Sequence, residues 1–198
     1  GRTDSGVHAY AQSAHFIVKT KIKNKFIFLN TVNFFLKKKK ISILEMYAKK
    51  KNFHARYSAK KRFYTYIIIN RLAPLSLDIN KAWHIKSVLN ITLIKKAAKF
   101  LEGTKDFSTF RSSSCGANSP IRTLDKVIVA KRGNRITITF KSRSFLQQQV
   151  RSMVGCLKLV GEKKWNLKKF KYVMTSKKRE NCAPPAPAKG LYFLKASY

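Results

Sequence analysis

The stretch "KVIVAKRGNRITITF" (Lys126–Phe140) reads as a β-hairpin. Ile136, Ile138 and Phe140 alternate with Thr137 and Thr139, the two-residue period of a strand with one buried face. Gly133 and Asn134 fill the tight turn between the arms. Downstream, Val150, Met153 or Val154, Leu157 and Val160 share a helical face that should end at Gly161. A further helix is predicted from Asn166, with Leu167, Phe170 and Met174 inward. "APPAPAKG" (183–190) is a stiff connector leading into a strand, "LYFLKAS" (191–197).

Upstream, "RFYTYIIIN" (62–70) is β-branched and aromatic, a strand buried on at least one face. Asn90 can cap a helix with Leu93, Ile94, Ala97 and Leu101 on one side and Gly103 as its stop. Nearer the start, "SAHFIV" (13–18) and "ISILEMYA" (41–48) are predicted as strands, the second heading for an interface, with a buried helix over 24–36 between them. Strands in hairpin-like groups mark an α+β fold with a mainly antiparallel sheet. Neither Walker nor dinucleotide glycine spacing occurs, which disfavours a doubly wound phosphate-binding fold.

Lys and Arg total 43 against 8 Asp and Glu, a net charge of +35. Such an excess repels itself and makes sense beside a polyanion, so nucleic acid is the expected partner. Lys-rich runs such as 37–40 also fit the drift of an AT-rich genome. Cys115, Cys156 and Cys182 are far apart and odd in number, which argues against a disulfide framework and suits a reducing compartment. Neither they nor His8, His15, His54 and His84 have metal-ligand spacing, so no metal is expected. No apolar run reaches membrane-spanning length, and the polar, Gly-rich start is no signal peptide.

One acid stands out. Asp4, in "GRTDSGVHAY" (1–10), lies between Gly1 and Gly6 and close to Arg2 and Thr3. On residue chemistry alone it is a turn residue, a helix cap or a carboxylate whose ionised form Arg2 favours. In a basic cleft, an ionised carboxylate is a plausible nucleophile.

Five stretches in order carry a specific resemblance. "GRTDSGVHA", "FHARYSAKKRFYTYIIIN", "DFSTFR" with "SPIRTL", "SFLQQQVRSMVG" and "APAKGLYF" together resemble the bacterial tRNA pseudouridine synthase A family. The resemblance implies two α+β lobes with a joined, mainly antiparallel sheet and a basic central cleft, the lobes being residues 1–52 and 57–198. It implies a cofactor-free isomerisation of uridine to pseudouridine at positions 38 to 40 of the tRNA anticodon arm. By the same resemblance Asp4 is the nucleophile, Tyr64 stacks on the target base and takes the proton from carbon, and Arg151 holds Asp4 ionised and oriented. Arg2 fills the space left by the extruded uridine, and Leu191 lines the site. His54, Arg56 and Asn118 are placed where relatives touch tRNA, with Arg111 and Arg122 as phosphate binders near that loop. His8 is expected to be a local structural hydrogen bonder. A cytoplasmic homodimer, with one tRNA spanning both subunits, is also implied.

There are departures. Relatives carry some fifty residues, a strand and a helix, before the Asp4 motif, which suggests a fragment or truncated gene that is unstable or inactive alone. Ala11 stands where Gly is common, Lys37 ends a stretch that usually reads Asn-x-x-Leu-Pro, and Gln147 and Gln148 replace frequent histidines. The rival readings are a noncatalytic RNA-binding remnant, and a ribosomal-protein-like scaffold that accounts for the charge but not for five ordered motifs.

Overall fold

A computed structural model describes residues 2–198, so Gly1 lies outside the described residues. The elements follow as β1 (His8–Ala9), α1 (Lys25–Leu36), β2 (Lys61–Asn70), β3 (Trp83–Ile85), α2 (Ile91–Lys99), β4 (Gly103–Asp106), β5 (Ile121–Arg132), β6 (Arg135–Ser142), α3 (Gln149–Gly161), α4 (Leu167–Thr175) and β7 (Leu191–Ser197). The chain divides into two compact units, one of residues 1–13 with 59–198 and one of residues 14–58. The sequence reading grouped the Asp4 loop with residues up to 52. It clusters instead with 59–198, because β1 pairs with β7.

In the larger unit the sheet runs β1-β7-β2-β6-β5-β4, with β3 also against β2. Pairing is antiparallel except for β1 with β7 and β2 with β3. The hairpin forms as its alternation dictates, closing on the pair Arg132–Arg135 with Gly133 at φ 55°. Every second residue of β6 is buried. The apolar sides of α2 and α3 lie on one sheet face, and with α4 they share a core with Tyr66, Ile68, Leu124, Ile136, Ile138 and Phe140. Asn90 and Asn166 cap α2 and α4, each side chain accepting a backbone N–H of the first turn. α2 stops at Lys99, before Gly103, whose φ of 96° instead opens β4. In α3 only Arg151, Lys158 and Leu159 escape burial, so this helix is the core's spine. The opposite sheet face holds a small cluster of Ile67, Ile69, Ala82 and Tyr192.

The smaller unit departs from expectation. Asn24 caps α1 through Ile27 N–H at 3.0 Å, as the sequence suggests, but none of its residues is buried. Phe26, Phe34 and Phe35 are each more than 70% exposed. Residues 13–18 and 41–48 form no strand. A strand needs a neighbouring strand to take its N–H and C=O groups in a ladder, and neither stretch belongs to a ladder among the described residues. The side chain of Asn33 does part of that work, bonding both the N–H and the C=O of Ile43 at 2.7 and 2.9 Å. Among the described residues no helix is long and apolar enough to cross a membrane.

Candidate active site

Asp4 is both a turn residue and a charged group aimed at a partner. Its carbonyl accepts the Val7 N–H at 3.2 Å, closing a turn in which Gly6 takes φ 76°, a region that disfavours any side chain. A Cβ on Gly6 would sit 3.4 Å from Ala188 Cβ, so the turn lies on the residues just before β7. Beyond the turn, β1 runs parallel to β7 and His8 stacks on Tyr192 at 4.7 Å. The His8 Nε2 pairs with the carbonyl of Asn80, so its hydrogen bond is long-range rather than local.

The Asp4 carboxylate meets Arg151 from α3: Nη1 donates to Oδ2 at 3.2 Å, with both side chains less than a third exposed. Partial burial strengthens such a charge-assisted bond relative to one at the surface. Arg151 is itself aimed by the connector, donating from Nε to Ala186 O at 2.7 Å, while Ala186 N–H donates to Arg151 O at 3.0 Å. This reciprocal pair requires the connector to lie almost on the helix. Gly155 permits it, since a Cβ there would fall 2.2 Å from Pro184 O. Just before α3, Gln148 adopts φ 59°, an uncommon conformation for a side-chain-bearing residue, next to the turn that delivers Arg151.

Tyr64 lies in β2 opposite Phe193 of β7, its ring edge-on to Phe145 and Phe193 at 5.2 and 5.1 Å. Burial pushes its hydroxyl up to about 12; Arg62 opposes this and the nearby Asp4 carboxylate adds to it. Tyr64 is therefore a neutral phenol across the physiological range. Because folding favours that neutral form, its contribution to stability is complete below the ordinary value of 10 and lost as pH rises through about 12. An absorbance titration should show a tyrosine ionising near pH 12 that disappears in Tyr64→Phe. A Tyr64 ionising at the ordinary value would contradict this placement.

Sequence reasoning missed Tyr66, two residues along the same face of β2. Fully buried, it donates its O–H to Pro187 O at 2.7 Å and packs against Gly190, where a Cβ would fall 2.6 Å from its ring. Leu191 opens β7 opposite Tyr66 and is 5% exposed, in the core beside the site. The glycine of "AKGLYF" was the one available signal for this close approach. Tyr66→Phe should cost about 1 kcal/mol in urea unfolding, because the Pro187 carbonyl loses the Tyr66 O–H and keeps only the Gly190 N–H at 3.3 Å.

Several of the other candidates make contacts of their own. Arg2 is exposed, two residues before Asp4. Asn118 is exposed in the loop preceding β5. Arg122 donates to Ser119 O and Ile121 O, and burial, with Arg111 nearby, lowers its pKa. In the smaller unit, His54 Nδ1 accepts the N–H of Arg56 at 3.1 Å, and the Arg56 guanidinium sits over the Tyr57 ring. His15 lies 4.4 Å from His54, ring to ring, a neighbour its sequence distance hid.

A carboxylate held by a positioned arginine beside a buried neutral phenol, in a strongly basic chain, is an arrangement that can serve nucleophilic chemistry on a polyanion. Comparison with known proteins makes the class specific. The chain belongs to the tRNA pseudouridine synthase family, whose pattern matches residues 97–198. It is 56% identical over 198 residues to tRNA pseudouridine synthase A of Pelagibacter ubique, covering all of this chain and 80% of that protein. It is 41% identical to the proteins of the same name from Maricaulis maris and Parvibaculum lavamentivorans, covering 79% and 80% of them.

Proposed function

We propose that this chain isomerises uridine to pseudouridine in the anticodon arm of tRNA, at positions 38 to 40, with Asp4 as the nucleophile. Family membership supports uridine isomerisation in tRNA. The observation that carries the catalytic reading is the Asp4–Arg151 pair at 3.2 Å. In the reaction the bond from the ribose to N1 of the base breaks, the base turns, and C5 bonds to the ribose carbon. N1 gains a proton and C5 loses one, so nothing is oxidised or reduced. Asp4 attacks ribose or base, and Arg151 keeps the carboxylate oxygen pointed while its charge changes. Tyr64, as a neutral phenol, suits stacking on the base and O–H donation better than proton removal from C5. Arg2 occupies the gap left when the uridine leaves its stack.

Backbone affinity comes from the net charge of +35, with His54, Arg56, Arg111, Asn118, Arg122 and the Lys runs contacting the RNA. The working protein is a cytoplasmic homodimer that needs no cofactor. Incubation with unmodified tRNA transcript tests the reading, with pseudouridine mapped by its carbodiimide adduct. Conversion is expected at positions 38 to 40, and it would overturn the sequence-based expectation of a chain inactive alone. Tight tRNA binding without conversion would instead make the chain a noncatalytic RNA binder.

A further inference from the structure

Outside the catalytic pair, one joint contains reactive groups that the proposed reaction does not use. Cys156, fully buried on α3, directly follows Gly155, against which the connector packs. Cys182 is half-buried at the connector's start, after a short turn at Arg179–Asn181. Their sulfurs are 3.5 Å apart, and both are free thiols. Arg179 is fixed beside them, donating to Ser152 Oγ at 2.8 Å and Thr109 O at 3.3 Å.

We infer that Cys156 and Cys182 form a modification site, a thiol pair that a peroxide converts to a disulfide stapling α3 to the connector that aims Arg151. The two residues have distinct roles. The S–H of Cys156 and the Arg179 charge stabilise a Cys182 thiolate, whereas that hydrogen bond and burial hold Cys156 protonated. The partly exposed Cys182 thiolate attacks one peroxide oxygen and becomes a sulfenic acid, while the second oxygen leaves as hydroxide and takes up the proton that Cys182 released on ionising, giving water. The Cys156 sulfur then attacks the Cys182 sulfur, and the sulfenic oxygen leaves as a second water, taking the Cys156 proton. Two thiols thus give two electrons to one peroxide. Bonding brings the sulfurs from 3.5 Å to about 2.05 Å, a short movement for a connector that meets α3 two residues further on.

Hydrogen peroxide treatment of the purified chain, followed by alkylation and peptide mapping without reductant, tests the site. The Cys156 and Cys182 peptides should appear linked and lighter by two hydrogen atoms. Thiols titrated in denaturant should fall from three to one, and dithiothreitol should restore them. Hydrogen exchange at the Ala186 amide should slow by roughly tenfold in the oxidised chain, because opening this joint then requires stretching a covalent link. Cys182→Ser should give no link and leave Cys156 alkylatable. Mapping of the unsubstituted chain decides on its own, whatever the variant's stability. Cys182 driven to sulfinic acid with Cys156 still free, or a link through Cys115, overturns the pairing. A formed link with unchanged Ala186 exchange overturns the staple.

Discussion

Asp4→Asn should reduce pseudouridine formation by roughly 10³-fold or more while leaving the fold intact. The amide has the shape of the carboxylate but neither its charge nor its nucleophilic oxygen. The turn survives because the Asp4 backbone carbonyl, not its side chain, receives the Val7 N–H. Arg151 also stays in place, since its Nε remains bonded to Ala186 O. Only one charge-assisted bond of a partly exposed pair weakens, so stability should fall by about 1 kcal/mol. Single-turnover conversion of tRNA and a thermal melt separate the two effects. Full activity in Asp4→Asn would remove Asp4 from the chemistry. A large loss of stability would show instead that the acid holds the loop.

Gly155→Ala should have the largest effect on stability of any single methyl group added in the larger unit. The new carbon would lie 2.2 Å from Pro184 O, a backbone atom on a proline-stiffened connector that cannot swing aside. Overpacking of this kind costs about 3 kcal/mol, at the upper end of the usual range. At this chain length that lowers the melting midpoint by about 10 °C. Activity should fall further than the folded fraction does, because pushing Pro184 away also moves Ala186, the acceptor for Arg151 Nε. Two other glycines set the scale. Gly116→Ala meets nothing within 4 Å and should be neutral, whereas Gly161→Ala meets the movable end of Ile94 and should fall between. A Gly155→Ala protein as stable and active as the parent would mean that the connector does not bear on the helix.

Legibility followed the distance over which each feature is decided. The hairpin, α2, α4 and β7 were readable because turn glycine, cap asparagine and alternation lie within the segment itself. Residues 13–18 and 41–48 were misread because a strand is a property of a pair, and apolar alternation alone supplies no partner. Burial of α1 failed for a related reason: an apolar face shows what a helix could bury, not what covers it. In the site, Asp4 and Arg151 are 147 residues apart, and only the motif resemblance joined them in advance. The support beneath Arg151 was illegible. Tyr66 reads as one more strand aromatic, and Gly155 as an ordinary small helix residue. Their roles depend on where Pro184, Pro187 and Gly190 come to rest.

The strand neighbouring β1 has a consequence for biosynthesis. His8 finds its register opposite Tyr192, 184 residues later in translation. Until that stretch has left the ribosome, the Asp4 loop has no rail to lie on. Loop closure over so long a span is slow compared with local helix and hairpin formation. Activity should therefore arise late, as a single step after synthesis of β7. A nascent chain arrested before Leu191 carries Asp4, Tyr64 and Arg151 and should still be inert.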